Sequence, residues 1–390
     1  MQLTIPLRLS LLTPARPAAI IIYSLILLFT STRTAAGARR LIRLEDGQSE
    51  YTGKLVALDG AHCTLMDRQG RLVELDVSSL RGLERLAEQF KPDSISTFRS
   101  GLSEEFGRGY EIAGTTHYFV CAPRGHADRY ADLFEQIYRD VEQFYRVRGF
   151  RVEKPDVPLV AIVFISRQEF VEYCVRDHVA PSPGLQGYYS LISNRVALFD
   201  GGGSRSVTVN HSKAPEVSTA VALSGITGQT ANTIVHETIH QVGYNIGIHT
   251  RLGETPLWIV EGIATVLEPS KMRNRRGGQA SGERVNPERR DWFRNNYRPG
   301  RPAGSLAKLI ASDNLFRRQT LSAYSEAWAL TFFLMENPAR RKNLAAYLQK
   351  LIQRDVTKRY GAKERLSDFE SVFGDIARLE VEFLRYMDRL

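Results

Sequence analysis

Thr233-Ile234-Val235-His236-Glu237-Thr238-Ile239-His240-Gln241 carries the pattern H-E-x-x-H. Val235, Ile239 and Val242 recur at helical spacing, so the stretch reads as an amphipathic helix with one apolar face. Thr230 is placed to cap its start, and Asn245 or Gly247 to end it. At about 100° per residue, His236 and His240 fall about 40° apart on adjacent turns. Two imidazoles so placed can reach one metal ion. Glu237 lies beside them, close enough to act on a water at that ion without being a ligand. The competing reading is a helix with two ordinary polar histidines. The apolar neighbours and the scarcity of charge on this helix weigh against it.

A catalytic ion needs three protein ligands and one open position. The segment Thr255 to Pro269 supplies a candidate. Thr255 reads as an N-cap, Pro256 as the first helical residue and Pro269 as the stop. Glu261 is a charge set in an otherwise apolar turn, and a buried carboxylate is costly unless it is paired or binds metal. Gly262 and Ala264 are small enough to let another helix approach closely. Glu261 is thus the candidate third ligand. A salt-bridged core glutamate is the alternative.

His236-Glu237-Thr238-Ile239-His240, followed by Trp258-x-x-Glu261-Gly262-x-Ala264, resembles the gluzincin metallopeptidases. There a glutamate at this remove from the second histidine completes a zinc site. More closely, the chain is similar to an exported bacterial group with a peptidase-like gluzincin domain. Thr115-Thr116-His117-Tyr118, the run Tyr324 to Phe333 and the closing helix Phe369 to Leu390 share in that likeness. The resemblance spans about residues 105–390. It implies zinc (Zn2+) held by His236, His240 and Glu261, with Glu237 as general base. It implies a tyrosine downstream of the glutamate ligand that supports the oxyanion. Tyr324 occupies that place, with Trp328 one turn on, and a pair of core aromatics is its other reading. Tyr244, Tyr189 and His249 are further candidates for that role. The resemblance also implies that the strand Arg195 to Phe199 is a sheet edge to which extended peptide adds.

Around these motifs the chain divides into segments. Residues 1–38 carry three arginines and no acid, an apolar run from Ala18 to Phe29, and Ala36-Gly37-Ala38 as a small-x-small site. That is an export signal cleaved near Ala38, or alternatively an N-terminal membrane anchor. Residues 39–90 show short apolar runs broken at Asp46-Gly47, Asp59-Gly60 and Gln69-Gly70, which are hairpin signals. Four strands are legible, and the pattern resembles a small SH3-like β-barrel acting as adaptor or spacer. Residues 91–109 read as a polar linker and 110–390 as the main domain. In the main domain, strands at Thr116–Cys121, Val157–Ile165 and Arg195–Phe199 alternate with helices at His126–Val147 and Ser166–Cys174. Asp200 to Gly228 is rich in glycine and serine and reads as an insertion, and helices follow. The fold class is α+β, zincin-like, preceded by a small all-β barrel.

The net charge of +9 is modest for 390 residues, and much of the excess lies between Lys271 and Arg301. With few aromatics interleaved, that stretch is a solvated basic loop rather than a nucleic-acid site. Three cysteines, Cys63, Cys121 and Cys174, exclude a disulfide framework and match no metal motif; Cys121 and Cys174 could pair after export. The expected function is an exported zinc peptidase acting on peptide or protein substrates, without nucleic acid and without a stable membrane span after signal cleavage. A protein or cell-surface partner could dock on the N-terminal module. The alternatives are a non-catalytic binding protein on the same scaffold, or a zinc hydrolase of a non-protein amide.

Overall fold

The structure, a computed structural model, describes residues 40–201, 228–273 and 284–390. The expected leader, nearly all of the expected insertion and the centre of the basic stretch lie outside the described residues. Among the described residues no helix is long and apolar enough to cross a membrane. The architecture is mixed α+β: an N-terminal β-sheet, a second sheet sandwiched by helices, and a helical C-terminal half.

The first sheet holds β1 (Arg40–Glu45), β2 (Glu50–Leu58), β3 (His62–Met66), β4 (Leu72–Asp76) and β5 (Gly82–Gln89), in the antiparallel order β4-β3-β2-β1-β5. It folds around its own core of Ile42, Leu44, Cys63, Leu65, Leu75, Val77 and Leu80. The fifth strand, GLERLAEQ, was not placed from sequence, because four of its eight residues are charged or amide-bearing and it offers little alternation. The ladders join neighbours only, with no β4–β5 pairing among the described residues, so the sheet is five-stranded but not a hydrogen-bonded closed barrel.

The stretch expected as a polar linker carries α1 (Ile95–Phe106) instead. Ser94 caps it by accepting from Thr97 N at 3.1 Å. Phe98, Leu102 and Phe106 recur four residues apart and place one apolar stripe against the second sheet, beneath an otherwise polar composition.

The second sheet runs β6-β7-β8-β10-β9, from β6 (Tyr110–Gly114), β7 (Tyr118–Pro123), β8 (Leu159–Phe164), β9 (Gly187–Tyr189) and β10 (Arg195–Phe199). β7, β8 and β10 are parallel and the outer strands antiparallel. All six residues of β8, LVAIVF, are buried, as a strand covered on both faces requires. Val160, Ile162 and Phe164 join α1 and α3 (Arg167–Arg176) on one face. Leu159, Ala161 and Val163 join α2 (Ala127–Val147) and α4 (Gly228–Asn245) on the other. The strand Arg195–Phe199 is therefore interior, not an edge: it lies between β8 and β9. The edge on that side is β9, three residues long. Cys121 and Cys174 are both buried in one cluster and both free, so the pairing considered from sequence does not form.

The C-terminal half comprises α5 (Leu257–Leu267), α6 (Ser270–Arg273), α7 (Pro287–Trp292), α8 (Ser305–Ala311), α9 (Asn314–Arg318), α10 (Thr320–Glu336), α11 (Pro338–Ile352), α12 (Ala362–Phe373) and α13 (Ile376–Met387). From Trp258 to Leu267 every residue of α5 is buried, the mark of a core helix. Thr255 does not cap it. Pro256 holds the cap position, and Asp313 accepts from Leu257 N at 3.0 Å across the chain.

The N-terminal sheet is fastened to the second sheet's edge hairpin, so it is more than a spacer. Leu72 N donates to Ile192 O at 2.9 Å. Arg251, whose guanidinium pKa burial lowers, donates to Gly70 O at 2.8 Å and Leu191 O at 2.6 Å, and reaches Ile192 O at 3.1 Å. Lys54 pairs with Asp156 at 2.9 Å. Arg251→Ala removes one cation from three carbonyls and is expected to cost about 2–4 kcal/mol of stability. Denaturant unfolding checks the magnitude, and faster amide exchange in residues 187–196 locates it. Unchanged exchange there would mean that Arg251 does not hold the hairpin.

Candidate metal centre

α4 is fixed to the sheet before its histidines are considered. Gln241 Nε2 donates to Val160 O at 3.0 Å and to Asn194 O at 2.8 Å. Asn194, at φ +60°, exchanges amide hydrogen bonds with Asn245 at 2.8 and 2.9 Å. β9 lies tightly on α4: a Cβ on Gly187 would stand 2.9 Å from Thr233 Cγ2. The helix begins at Gly228, two residues before the expected cap Thr230, and ends at Asn245, with Gly247 beyond it at φ +79°.

α5 and α10 meet as closely as two helices can. A Cβ on Gly262 would stand 2.6 Å from Ala327 O. This contact brings Glu261, from α5, and Tyr324, from α10, to the histidines. His236 Nε2 lies 3.0 Å from His240 Nε2 and 3.3 Å from Glu261 Oε2, and His240 Nε2 lies 3.4 Å from Glu261 Oε2. The rings stand nearly perpendicular, at 84°. Tetrahedral coordination at about 2.0–2.2 Å puts neighbouring ligand atoms about 3.3–3.5 Å apart, so the triangle is of the right size. Glu261 is 2 % exposed, and its Oε2 faces the two imidazole nitrogens without a well-formed hydrogen bond, a buried oxygen that an ion would satisfy. His236, His240 and Glu261 could hold a metal ion, and they are the one such group found among the described residues.

Without an ion, protons balance this cluster. Burial works against charge on His236, but hydrogen bonds with Glu261 and Glu268 outweigh it and hold the imidazole pKa well above its ordinary value. Burial pushes the Glu261 carboxyl up, and the two histidines overcome it and hold the pKa far down. His249 is pushed down to about 3 by burial and by His240, so it is neutral; its ring lies tilted against that of Tyr244, outside the triangle.

Glu237 is 3 % exposed and accepts a hydrogen bond at 2.9 Å from the backbone N–H of Tyr189 in β9. Burial raises its pKa, the histidines lower it, and Glu261 adds to the rise; the net shift is upward. Tyr324 hydrogen-bonds Glu261, and its ring lies 6.4 Å from that of His236. Burial and the charges of Glu261 and Glu237 keep its phenol protonated, well above its ordinary pKa. Among the other tyrosines, Tyr189 spends its hydroxyl on Asn194 at 2.7 Å, and Tyr244 packs on Tyr189. Trp328 is a core residue stacked on Phe332.

Sequence reasoning did not find the partner that orients His236. Glu268 Oε1 lies 2.7 Å from His236 Nδ1, fixing which nitrogen faces the triangle. Its Oε2 accepts from Asn286 Nδ2 at 2.6 Å. The buried Arg273 donates to the carbonyls of Leu267 and Glu268, capping the end of α5. Glu268 stands seven residues after Glu261, two turns along one face, and that spacing was the available signal. Nothing in the sequence joined Asn286 to it.

A family profile described as protein of unknown function (DUF1570) matches residues 230–356. The match takes in His236, Glu237, His240, Glu261, Glu268, Asn286 and Tyr324. No curated protein matches the chain.

Glu261→Ala is expected to abolish stoichiometric metal binding. Glu268→Gln should weaken binding about 10- to 100-fold while leaving the stoichiometry intact. Because His236 carries a proton in the metal-free protein at neutral pH, binding displaces it. Affinity should rise about tenfold per pH unit for each proton released, and fall as the pH is lowered. Metal titration at several pH values, monitored calorimetrically, checks all three; a flat pH profile would rule out a protonated His236.

Proposed function

We propose that the protein is a zinc-dependent peptidase of gluzincin type, acting outside the cytoplasm on peptide or protein substrates. The observation that carries the reading is Glu237. It is a buried carboxylate beside the three-ligand cluster, aimed by an edge-strand amide, yet it is not one of the ligands. A purely structural metal site has no use for it. Two imidazoles and one carboxylate are a donor set that suits zinc and leaves a position open. The mixed sheet, with its short edge β9 beside the helix of the histidines, agrees with a zincin-like arrangement.

Zinc, when bound, supplies Lewis acidity to polarise the scissile carbonyl and to acidify water. Glu237 takes the proton of the attacking water on a carboxylate oxygen and delivers it to the leaving amine nitrogen. Its raised pKa suits both halves of that transfer. The Tyr189 N–H holds it in orientation. Tyr324 donates its phenolic O–H to the oxyanion that forms on the carbonyl oxygen as water adds to the carbon. Extended substrate runs along β9, the free edge on that side of the described sheet.

Glu237→Gln should keep one metal per chain and lower kcat by about 10²- to 10⁴-fold. Tyr324→Phe should lower kcat by about 10- to 10³-fold with little change in KM. Metal analysis beside kinetics on a peptide library checks both. Full activity in Glu237→Gln, or loss of its metal, would remove the proposed base.

A further inference from the structure

Arg289 is the cation that the proposed chemistry leaves unused. It lies on α7, whose N-cap Asn286 both accepts from Arg289 N at 3.3 Å and holds Glu268, the carboxylate behind His236. Its guanidinium carbon sits 5.4 Å from the centre of the Tyr324 ring. The side chain is 17 % exposed, and its Nε is enclosed with no hydrogen-bond partner. Among the described residues its one ion pair is a 3.5 Å contact with the adjacent Glu288, a side chain 71 % exposed. Such a contact is worth little.

The neighbouring arginines are placed differently. Arg284 pairs with Glu336, Arg301 lies between Glu326 and Glu380, and Arg298 pairs with Asp388. Arg273 donates to two carbonyls. Arg289 alone among these stands next to the proposed oxyanion donor without a strong acceptor. A partly enclosed guanidinium with only a weak, exposed ion-pair partner can accept an incoming anion, and its planar fork matches a carboxylate.

The geometry points to Arg289 as a substrate-binding residue that receives a carboxylate close to the scissile bond. The preferred substrates are then acidic on that side: either the C-terminal carboxylate of a peptide or the side chain of an aspartate or glutamate. The inference deepens the proposed peptidase reading and rests on it for the nature of the substrate. The alternative is a cation that only packs on the Tyr324 ring.

Two measurements decide it. In the metal-loaded protein with ¹⁵N-labelled arginine, the Nε–H resonance of Arg289, assigned by its absence from Arg289→Lys, is followed during titration with N-acetylglycine and with N-acetylglycinamide. A saturable shift with the acid and none with the amide is expected. No shift with the acid, or equal shifts with both, overturns the inference. The second measurement is kinetic, on peptide pairs that differ in a free or amidated C-terminus and in an internal Glu or Gln. Arg289→Gln should lower kcat/KM about 30- to 100-fold on the acidic member and less than about threefold on the neutral one. Discrimination confined to the terminus assigns the terminal carboxylate, and discrimination confined to the Glu/Gln pair assigns the side chain. Hydrolysis without either discrimination overturns the inference. If no peptide is hydrolysed, the peptidase reading fails, while the resonance titration still decides whether Arg289 binds a carboxylate.

Discussion

A carboxylate at 2 % exposure within a helix that is otherwise apolar is the constraint around which this molecule is arranged. Leaving Glu261 ionised in the core without compensation would cost more than most domains have to spare. Compensation comes from the imidazoles of His236 and His240 on α4, while on its other side α5 lies low on α10. Gly262 is what allows that approach, since any side chain there would run into the backbone at Ala327 and the hydroxyl of Thr331. The same approach delivers Tyr324. One missing Cβ thus sets how closely the helix of Glu261 lies to that of Tyr324.

A second set of contacts fixes the other half of the site from the sheet side. Gln241 ties β8 to the turn before β10, Asn194 in the left-handed region interlocks with Asn245, and the Tyr189 amide holds Glu237. These contacts join α4 to the β9–β10 hairpin. That hairpin is in turn held from behind by Arg251 and by Leu72 of the N-terminal sheet. Mechanical continuity runs from the N-terminal sheet through three backbone carbonyls to the carboxylate proposed as the base. The N-terminal sheet is therefore part of what keeps the site rigid, and a free adaptor on a flexible tether would not serve that purpose.

The features legible in the sequence were those that local spacing encodes. His236 and His240 one turn apart, Glu261 stranded in an apolar helix, and the full burial of β8 all follow from periodicity and from the cost of burying charge. Features set by contacts between distant segments were not legible. Asp313 replaces Thr255 as the cap of α5, because a tertiary acceptor satisfies Leu257 N as well as a local one does. The resemblance implied an edge at Arg195–Phe199, whereas β9 pairs antiparallel with it and takes the outer position. The helix at Ile95–Phe106 was hidden by composition, since the three apolar residues of its inward stripe are outnumbered by polar ones. Glu268 was visible two turns beyond Glu261, but its pairing with Asn286 depends on how α7 packs.

Among the described residues, the enclosed arginines at this end of the fold have strong acceptors, whereas the partly exposed Arg289 has only a weak one. Arg301 is nearly inaccessible, and two carboxylates plus the Tyr297 hydroxyl complete its network with Glu326. Truncating one member of such a network leaves a charge stranded, so its role is explained by the fold alone. Arg273 likewise answers the carbonyls at the end of α5. Arg289 is as well positioned as either, being anchored through Asn286 to the residues behind His236, yet the fold gives it no comparable acceptor. A helix that needed only packing against Tyr324 would be served by an apolar side chain at lower desolvation cost. The charge is retained where the proposed oxyanion donor sits, and a carboxylate arriving with substrate would account for both its position and its missing partner.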